Sequence, residues 1–280
     1  MNTLKFTSAV SVDKGLIRDN NEDNFYFNGA WLTAETRDNS DTFSSSASGG
    51  IQIYGVFDGM GGEELGEEAS LITAQVMHKT HERLKSAGCD VKEAILSAVE
   101  DANVGICRKI KENGGKRIGA TFSAIVIENN KATVFNIGDS RVYLHRAGVL
   151  EQISVDDTGA QRLVSIGVLT DEEAKTHKDR NKLTQHLGIF KEEMIIEPHI
   201  SNPIDIHKND KFLLCSDGLT DMVTDEEICR ILSQDKPCEQ LSAELVKTAL
   251  ENGGKDNVTA IVAKAGTKKK KFAWLIKRRK

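Results

Sequence analysis

The chain has 280 residues, 39% of them hydrophobic and 28% charged, which allows one large domain or two small ones with a sizeable core. Its net charge of −5 is uneven: the last 17 residues carry nine Lys or Arg and no acid, leaving about −14 on an acidic body that argues against a nucleic-acid partner. No apolar run approaches the roughly 18 residues of a membrane span, and MNTLKFTSAV lacks the basic-then-apolar order of a secretory signal.

In chain order, period-two alternation and β-branched runs predict strands at KFTSAVSV, DNFYFNG and IQIYGVF. Between the last two, residues 34–50 (AETRDNSDTFSSSASGG) are polar and without period, and are expected to be a flexible loop. Helical spacing follows in EELGEEASLITAQVMHKTHERLK and DVKEAILSAVEDANVGICRKIK. TFSAIVIE and KATVFNI read as a hairpin turning on Asn129 and Asn130, which tolerate positive φ. VYLHRAG is a further strand, and 156–201 is a mixed stretch expected to hold short helices and a surface flap. KFLLCS, the helices DEEICRILS and CEQLSAELVKTALENGG, and the strand NVTAIVAK complete the body. Strands, two consecutive helices, strands, then helices is not βαβ alternation; it predicts antiparallel sheets with helices packed outside. The residues divide into one domain, 1–264, and a basic tail, 265–280.

Asp58 ends the apolar run IYGVF and meets a glycine-rich turn; alone, Asp-Gly there is only a turn signal. The pattern recurs, however. Asp139 follows VFNIG, Asp217 follows FLLCS, Asp256 precedes NVTAIV, and Glu22 and Asp23 precede NFYF. If those strand ends meet at one edge, the carboxylates converge, and ionised neighbours repel unless cations neutralise them. Oxygen donors without His or Cys select Mg²⁺ or Mn²⁺. Gly59, lacking a side chain, lets its own carbonyl approach such an ion. Cys89, Cys107, Cys215, Cys229 and Cys238 are scattered without a CxxC pair, which fits a reducing cytoplasm and neither a disulfide frame nor a zinc site.

RDNNED, DGMGGEELGEEAS, GATFSAIVI, GDSRVYLHRAG, SDGL and KDNVT follow one another over about residues 5–264. In that order they resemble the PP2C-type (PPM) metal-dependent Ser/Thr protein phosphatases, the bacterial members especially. The resemblance implies an α+β fold, a four-layer αββα sandwich of two antiparallel sheets flanked by helix pairs. It implies that Asp58 bridges two metals, that the Gly59 carbonyl completes one site, and that Asp217 and Asp256 complete the other. Glu22 or Asp23 would act through coordinated water, and Asp139 would help hold a third, weaker ion. Arg18 would pair with the phosphate, and Asn257 would orient water or a neighbouring ligand. The implied reaction is single-step hydrolysis of phosphoserine and phosphothreonine in proteins by metal-bound hydroxide, without a phospho-enzyme. The implied partners are phosphorylated proteins, a bacterial Ser/Thr kinase and its substrates, acted on by a monomer. Two departures stand out: Met60, where many eukaryotic relatives carry a His proposed as general acid, and Ala120, where the family usually has a hydroxyl residue.

Other readings stay open beside these. A catalytically silent phosphoprotein-binding module of the same fold is the alternative from another class, and a metal-dependent nuclease or small phosphoester hydrolase is a third. His78 and His81, three apart, are expected on a solvated helix face; Asp156 and Asp157 are expected to cap a helix. GGKR and GGKD do not continue as a nucleotide-binding loop. The tail KKKKFAWLIKRRK is a solvated end, a reversible contact with an anionic membrane face, or a dock for an acidic protein. Co-sedimentation with anionic vesicles, with and without 265–280, separates these.

Overall fold

Apolar runs such as IYGVF and TAIVA have no polar face, so they need cover on both sides. The computed structural model, which describes residues 4–37, 40–61, 65–87 and 89–266, provides it with two sheets packed face to face and helices outside each. The first half comprises β1 (Lys5–Asp13), β2 (Asn24–Phe27), β3 (Asp41–Ser48), β4 (Gln52–Phe57), β5 (Gly59–Gly61), α1 (Gly66–Ala87) and α2 (Val91–Glu112). Next come β6 (Ile118–Ala120), β7 (Phe122–Glu128), β8 (Lys131–Ile137), β9 (Arg141–Arg146) and β10 (Val149–Gln152). The flap segment holds α3 (Gly159–Ser165), α4 (Asp171–Thr176) and β11 (His199–Ile200). The remainder is β12 (Ile204–Asp205), β13 (Lys211–Cys215), α5 (Asp217–Thr220), α6 (Asp225–Leu232), α7 (Cys238–Glu251) and β14 (Val258–Gly266).

One sheet runs β10-β9-β13-β14-β1-β3 and the other β11-β8-β7-β4-β2, with β12 also on β8. The strand pairs in both are antiparallel. Alternate residues sort into separate cores, as a period of two requires. Phe212, Leu214 and Ile261 meet Phe25, Tyr54, Val56 and Ile125 between the sheets. Leu213, Cys215 and Val262 face the other way, under Ile228, Leu241 and Leu245 of α6 and α7. Ile53, Phe57 and Phe135 likewise pack under Met77, Ile95 and Ile106 of α1 and α2. Each such fully buried side chain contributes about 1.5–3 kcal/mol. The four-layer sandwich is as expected, and so is the β7–β8 hairpin, whose Asn129 and Asn130 take φ of 51° and 62°.

Residues 34–50 are not one loop. After a turn at 34–37 they form edge strand β3, in full register with β1. Its sequence, DTFSSSAS, hides this because Phe43 is its one large apolar residue, set on Phe25 at 5.7 Å between ring centres, and its side-chain hydrogen bonds to β1 are hydroxyl to hydroxyl: Ser45 on Ser8 at 3.0 Å and Thr42 on Ser11 at 2.9 Å. The tail beyond Gly266 lies outside the described residues, as do the expectations attached to it. No described helix is long and apolar enough to cross a membrane.

Candidate active site

The register brings the expected strand ends to one edge. In one sheet Asp13↔Val258 and Cys215↔Ala260 align the end of β1, the start of β14 and the end of β13. In the other, Asn24↔Phe57 and Phe122↔Ile137 align the start of β2, the end of β4 and the end of β8. Asp23, Asp58, Asp139, Asp217 and Asp256 each sit one or two residues beyond those ends. Asp23 is 1% exposed; the other four keep part of their surface open to solvent.

The carboxyls sense one another. Burial, then repulsion from Asp23, Asp217, Asp139 and Asp256, raises Asp58 well above the usual carboxylate range. Burial and then Asp256 and Asp221 push Asp217 up to about 6, against a hydrogen bond with Asp58. Asp139 is raised by burial, Asp217 and Asp156. Asp23 is pushed up to about 7 by burial, although Ser216 and Thr259 donate to its Oδ2 at 2.6 and 2.7 Å. Its Oδ1 is buried with no hydrogen-bond partner among the described residues.

Neutral side chains set the geometry. Thr121 Oγ1 accepts from the Asp58 backbone N–H at 2.9 Å and contacts Ser140 Oγ at 2.7 Å. Asn257 Oδ1 accepts from the Glu22 N–H at 2.7 Å, while its Nδ2 donates to the Lys14 and Asn20 carbonyls at 2.8 and 2.9 Å. Gly59 is wedged where a Cβ would lie 2.3 Å from the Gly66 oxygen and 2.5 Å from the Glu22 oxygen. Only glycine lets the chain pass there. Burial, then repulsion from Glu67, raises the Glu22 carboxyl, and a hydrogen bond from the Gly66 N–H at the start of α1 opposes this. Thr121, Ser140 and Ser216 are the members that sequence reasoning missed; the only signal was a hydroxyl residue beside the motif Asp in GDS and CSD, and for Thr121 its place within the motif GATF.

This donor set fits hard divalent cations: it is all oxygen, its carboxyls are destabilised by mutual repulsion, and one buried carboxylate oxygen is unpartnered. As the side chains lie, no three His, Cys, Asp or Glu among the described residues are grouped closely enough to hold an ion. Asp256 is turned to Arg18, whose Nη2 donates to Oδ2 at 2.6 Å, so drawing Asp256 into a metal site means opening that pair. Arg18 is half-exposed, and the Asp256 hydrogen bond raises its pKa further.

Two other expectations are corrected. His81 is not on a solvated face: it is 1% exposed, with Nδ1 2.8 Å from the Tyr26 hydroxyl and Nε2 3.1 Å from the Ile51 carbonyl. His78 packs against Trp31 with the rings tilted and 4.7 Å between their centres. Asp156 and Asp157 cap no helix; Thr158 caps α3. Asp156 instead holds Arg141, and Asp157 Oδ2 accepts from the Gly138 N–H at 3.0 Å, tethering the loop that carries Asp139.

The model of the family described as Protein phosphatase 2C matches residues 33–262. The Ser/Thr protein phosphatase PstP of Mycobacterium tuberculosis is 35% identical over 263 residues, covering 93% of this chain and 45% of PstP. This chain thus spans less than half the length of that relative. The protein phosphatase PhpP of Streptococcus pneumoniae is 32% identical over 204 residues, 72% of this chain and 81% of PhpP. The crystal structure of M. tuberculosis PstP superposes with a TM-score of 0.78 at 33% identity, over 93% of this chain and 99% of that one. The PstP catalytic domain in complex with two manganese ions gives a TM-score of 0.75 at 32% identity, over 94% and 99%. With its strand-end carboxylates, its two helix-flanked sheets and this run of relatives, the chain belongs to the protein phosphatase 2C family.

Proposed function

We propose that the chain hydrolyses phosphoserine and phosphothreonine in proteins at the Asp58 edge, reversing the action of a Ser/Thr kinase on its targets and on the kinase itself. The observation that carries this is the convergence of five aspartates from separate strand ends, four of them repelling Asp58. Asp58, the Gly59 carbonyl, Asp217 and Asp256 would hold two Mn²⁺ or Mg²⁺ ions, with Glu22 or Asp23 acting through water and Asp139 serving a third. When bound, such ions supply charge neutralisation and Lewis-acid activation of water.

The chain's own residues do the rest. Thr121 fixes the Asp58 backbone from below. Asn257 ties down residues 14–22 and so places Arg18 at the mouth of the site. Once free of Asp256, the Arg18 guanidinium donates two parallel hydrogen bonds to phosphoryl oxygens and offsets their growing charge. No cysteine nucleophile competes: Cys215, beneath the site, is fully buried and its thiol is pushed up to about 12. Nothing in the site or the relatives favours the catalytically silent module.

Phosphate release from a phosphothreonine peptide tests this, with Mn²⁺ and then with EDTA, in wild type and Asp58→Asn. We expect release that needs Mn²⁺ and falls by at least about a hundredfold in the variant, the scale set by losing one charge-stabilising group. Wild-type release that persists in EDTA, or in the variant, would overturn the reading.

A further inference from the structure

Breaking a phosphoserine or phosphothreonine ester expels an alkoxide, which leaves poorly unless a proton reaches it as the bond breaks. Neither Met60, two residues after Asp58, nor Arg18, the cation of the site, offers one: Met60 has no exchangeable proton, and Arg18 does not give one up. The backbone register brings a donor from elsewhere. Thr121 N donates to the Asp58 carbonyl at 2.9 Å, and Met60 pairs with Gly119, so Asp58 and Met60 share one face of the β5–β6 ribbon. On the other side of β6, Ala120 and Leu187 exchange both backbone hydrogen bonds, at 3.2 and 2.9 Å. That lays His186 alongside the ribbon, in the row of Asp58 and Thr121.

The His186 ring fills the space that Gly119 leaves. A Cβ on Gly119 would lie 2.6 Å from His186 Nδ1 and 3.1 Å from Cε1, on the face that carries the Met60 side chain. Nδ1 is 2.8 Å from the Leu187 carbonyl oxygen, so Nδ1 carries hydrogen and donates. Nε2 has no hydrogen-bond partner among the described residues, and the residue is half-buried. Other histidines are engaged elsewhere: His81 by Tyr26, His145 by Ser233 and His199 by Asp157.

We propose that His186 is the general acid of the phosphatase reaction, an assignment that rests on the function proposed above. As water oxygen bonds to phosphorus and the P–Oγ bond breaks, the bonding pair stays on Oγ. Oγ takes the Nε2 proton of the imidazolium. The attacking water keeps one hydrogen on the phosphate and releases the other to solvent, from which the imidazole is reprotonated.

Leaving-group chemistry tests this in the full chain with Mn²⁺. A phosphothreonine peptide needs the proton, whereas p-nitrophenyl phosphate expels a stable nitrophenolate and does not. In His186→Ala we expect kcat on the peptide to fall by roughly a hundredfold or more, the range for a lost general acid, and far less on the nitrophenyl ester. Added imidazole should restore part of the peptide rate. Equal losses on both esters without rescue would reduce His186 to a packing role and overturn the assignment. Side-chain NMR of the metal-free chain reads the geometry independently of turnover: we expect the Nδ1–H tautomer, and an Nε2–H tautomer would overturn the placement. No turnover of either ester by wild type would sink the phosphatase reading itself, and the acid with it; selective loss on neither ester sinks the acid alone.

Discussion

Asn257 shows how much of the site rests on neutral residues. At 5% exposure it satisfies one N–H and two carbonyls of the segment 14–22, while its neighbour Asp256 grips Arg18 from the same turn. Replacing it with Ala leaves three backbone groups without this partner, a penalty of about 1–3 kcal/mol. For Asn257→Ala we expect lower stability in urea and a KM for phosphopeptide raised more than kcat is lowered, because Arg18 loses its fixed base. A variant with unchanged KM would show that Arg18 is placed by other contacts. The motif KDNVT marks Asn257 in the sequence, but its partners lie 235 to 243 positions away, out of reach of any local pattern.

At the scale of elements, α1 and β2 are joined by a buried polar pair. His81 is held neutral by burial, which lowers its pKa from 6.5 and outweighs the hydrogen bond to Ile51. Its titratable and charged neighbours are Tyr26, His78, Glu82 and Lys85. The unfolded chain takes the proton below about pH 6.5, while the folded one resists it. The stability that His81 contributes is therefore complete above that pH and is lost as pH falls through the lowered folded value. Between pH 7.5 and 5.5, wild type should lose more melting temperature than His81→Gln; parallel losses would show that the fold admits the charge freely. The helical spacing of His78 and His81 was legible, but not which of them faces inward. Edge strand β3 was illegible for a related reason: its hydroxyl ladder with β1 carries no apolar period.

For the whole molecule, the carboxylate edge sets stability against function. Asp58 is raised by burial and by four other aspartates, so its ionisation at neutral pH opposes folding when no cation is present. In EDTA at pH 7.5, Asp58→Asn should melt above wild type, by about 2–4 °C for each kcal/mol of repulsion removed. Mn²⁺ should then raise the melting point of wild type more than that of the variant. Scanning calorimetry checks both, and identical melting of the two forms in EDTA would place the repulsion elsewhere.

The sequence by itself determined antiparallel sheets with helices outside them, the strand ends that carry carboxylates and the kind of ion such donors accept. Each of these follows from local periodicity or from donor chemistry. Only the tertiary structure decided which strand ends share an edge, that Arg18 rests on Asp256, that Thr121 and Asn257 hold the frame, and that His186 lies in the space left by Gly119. These are contacts between residues far apart in the chain. Sheet register underlies them, because it decides which strand ends, and so which of the loops they carry, come together.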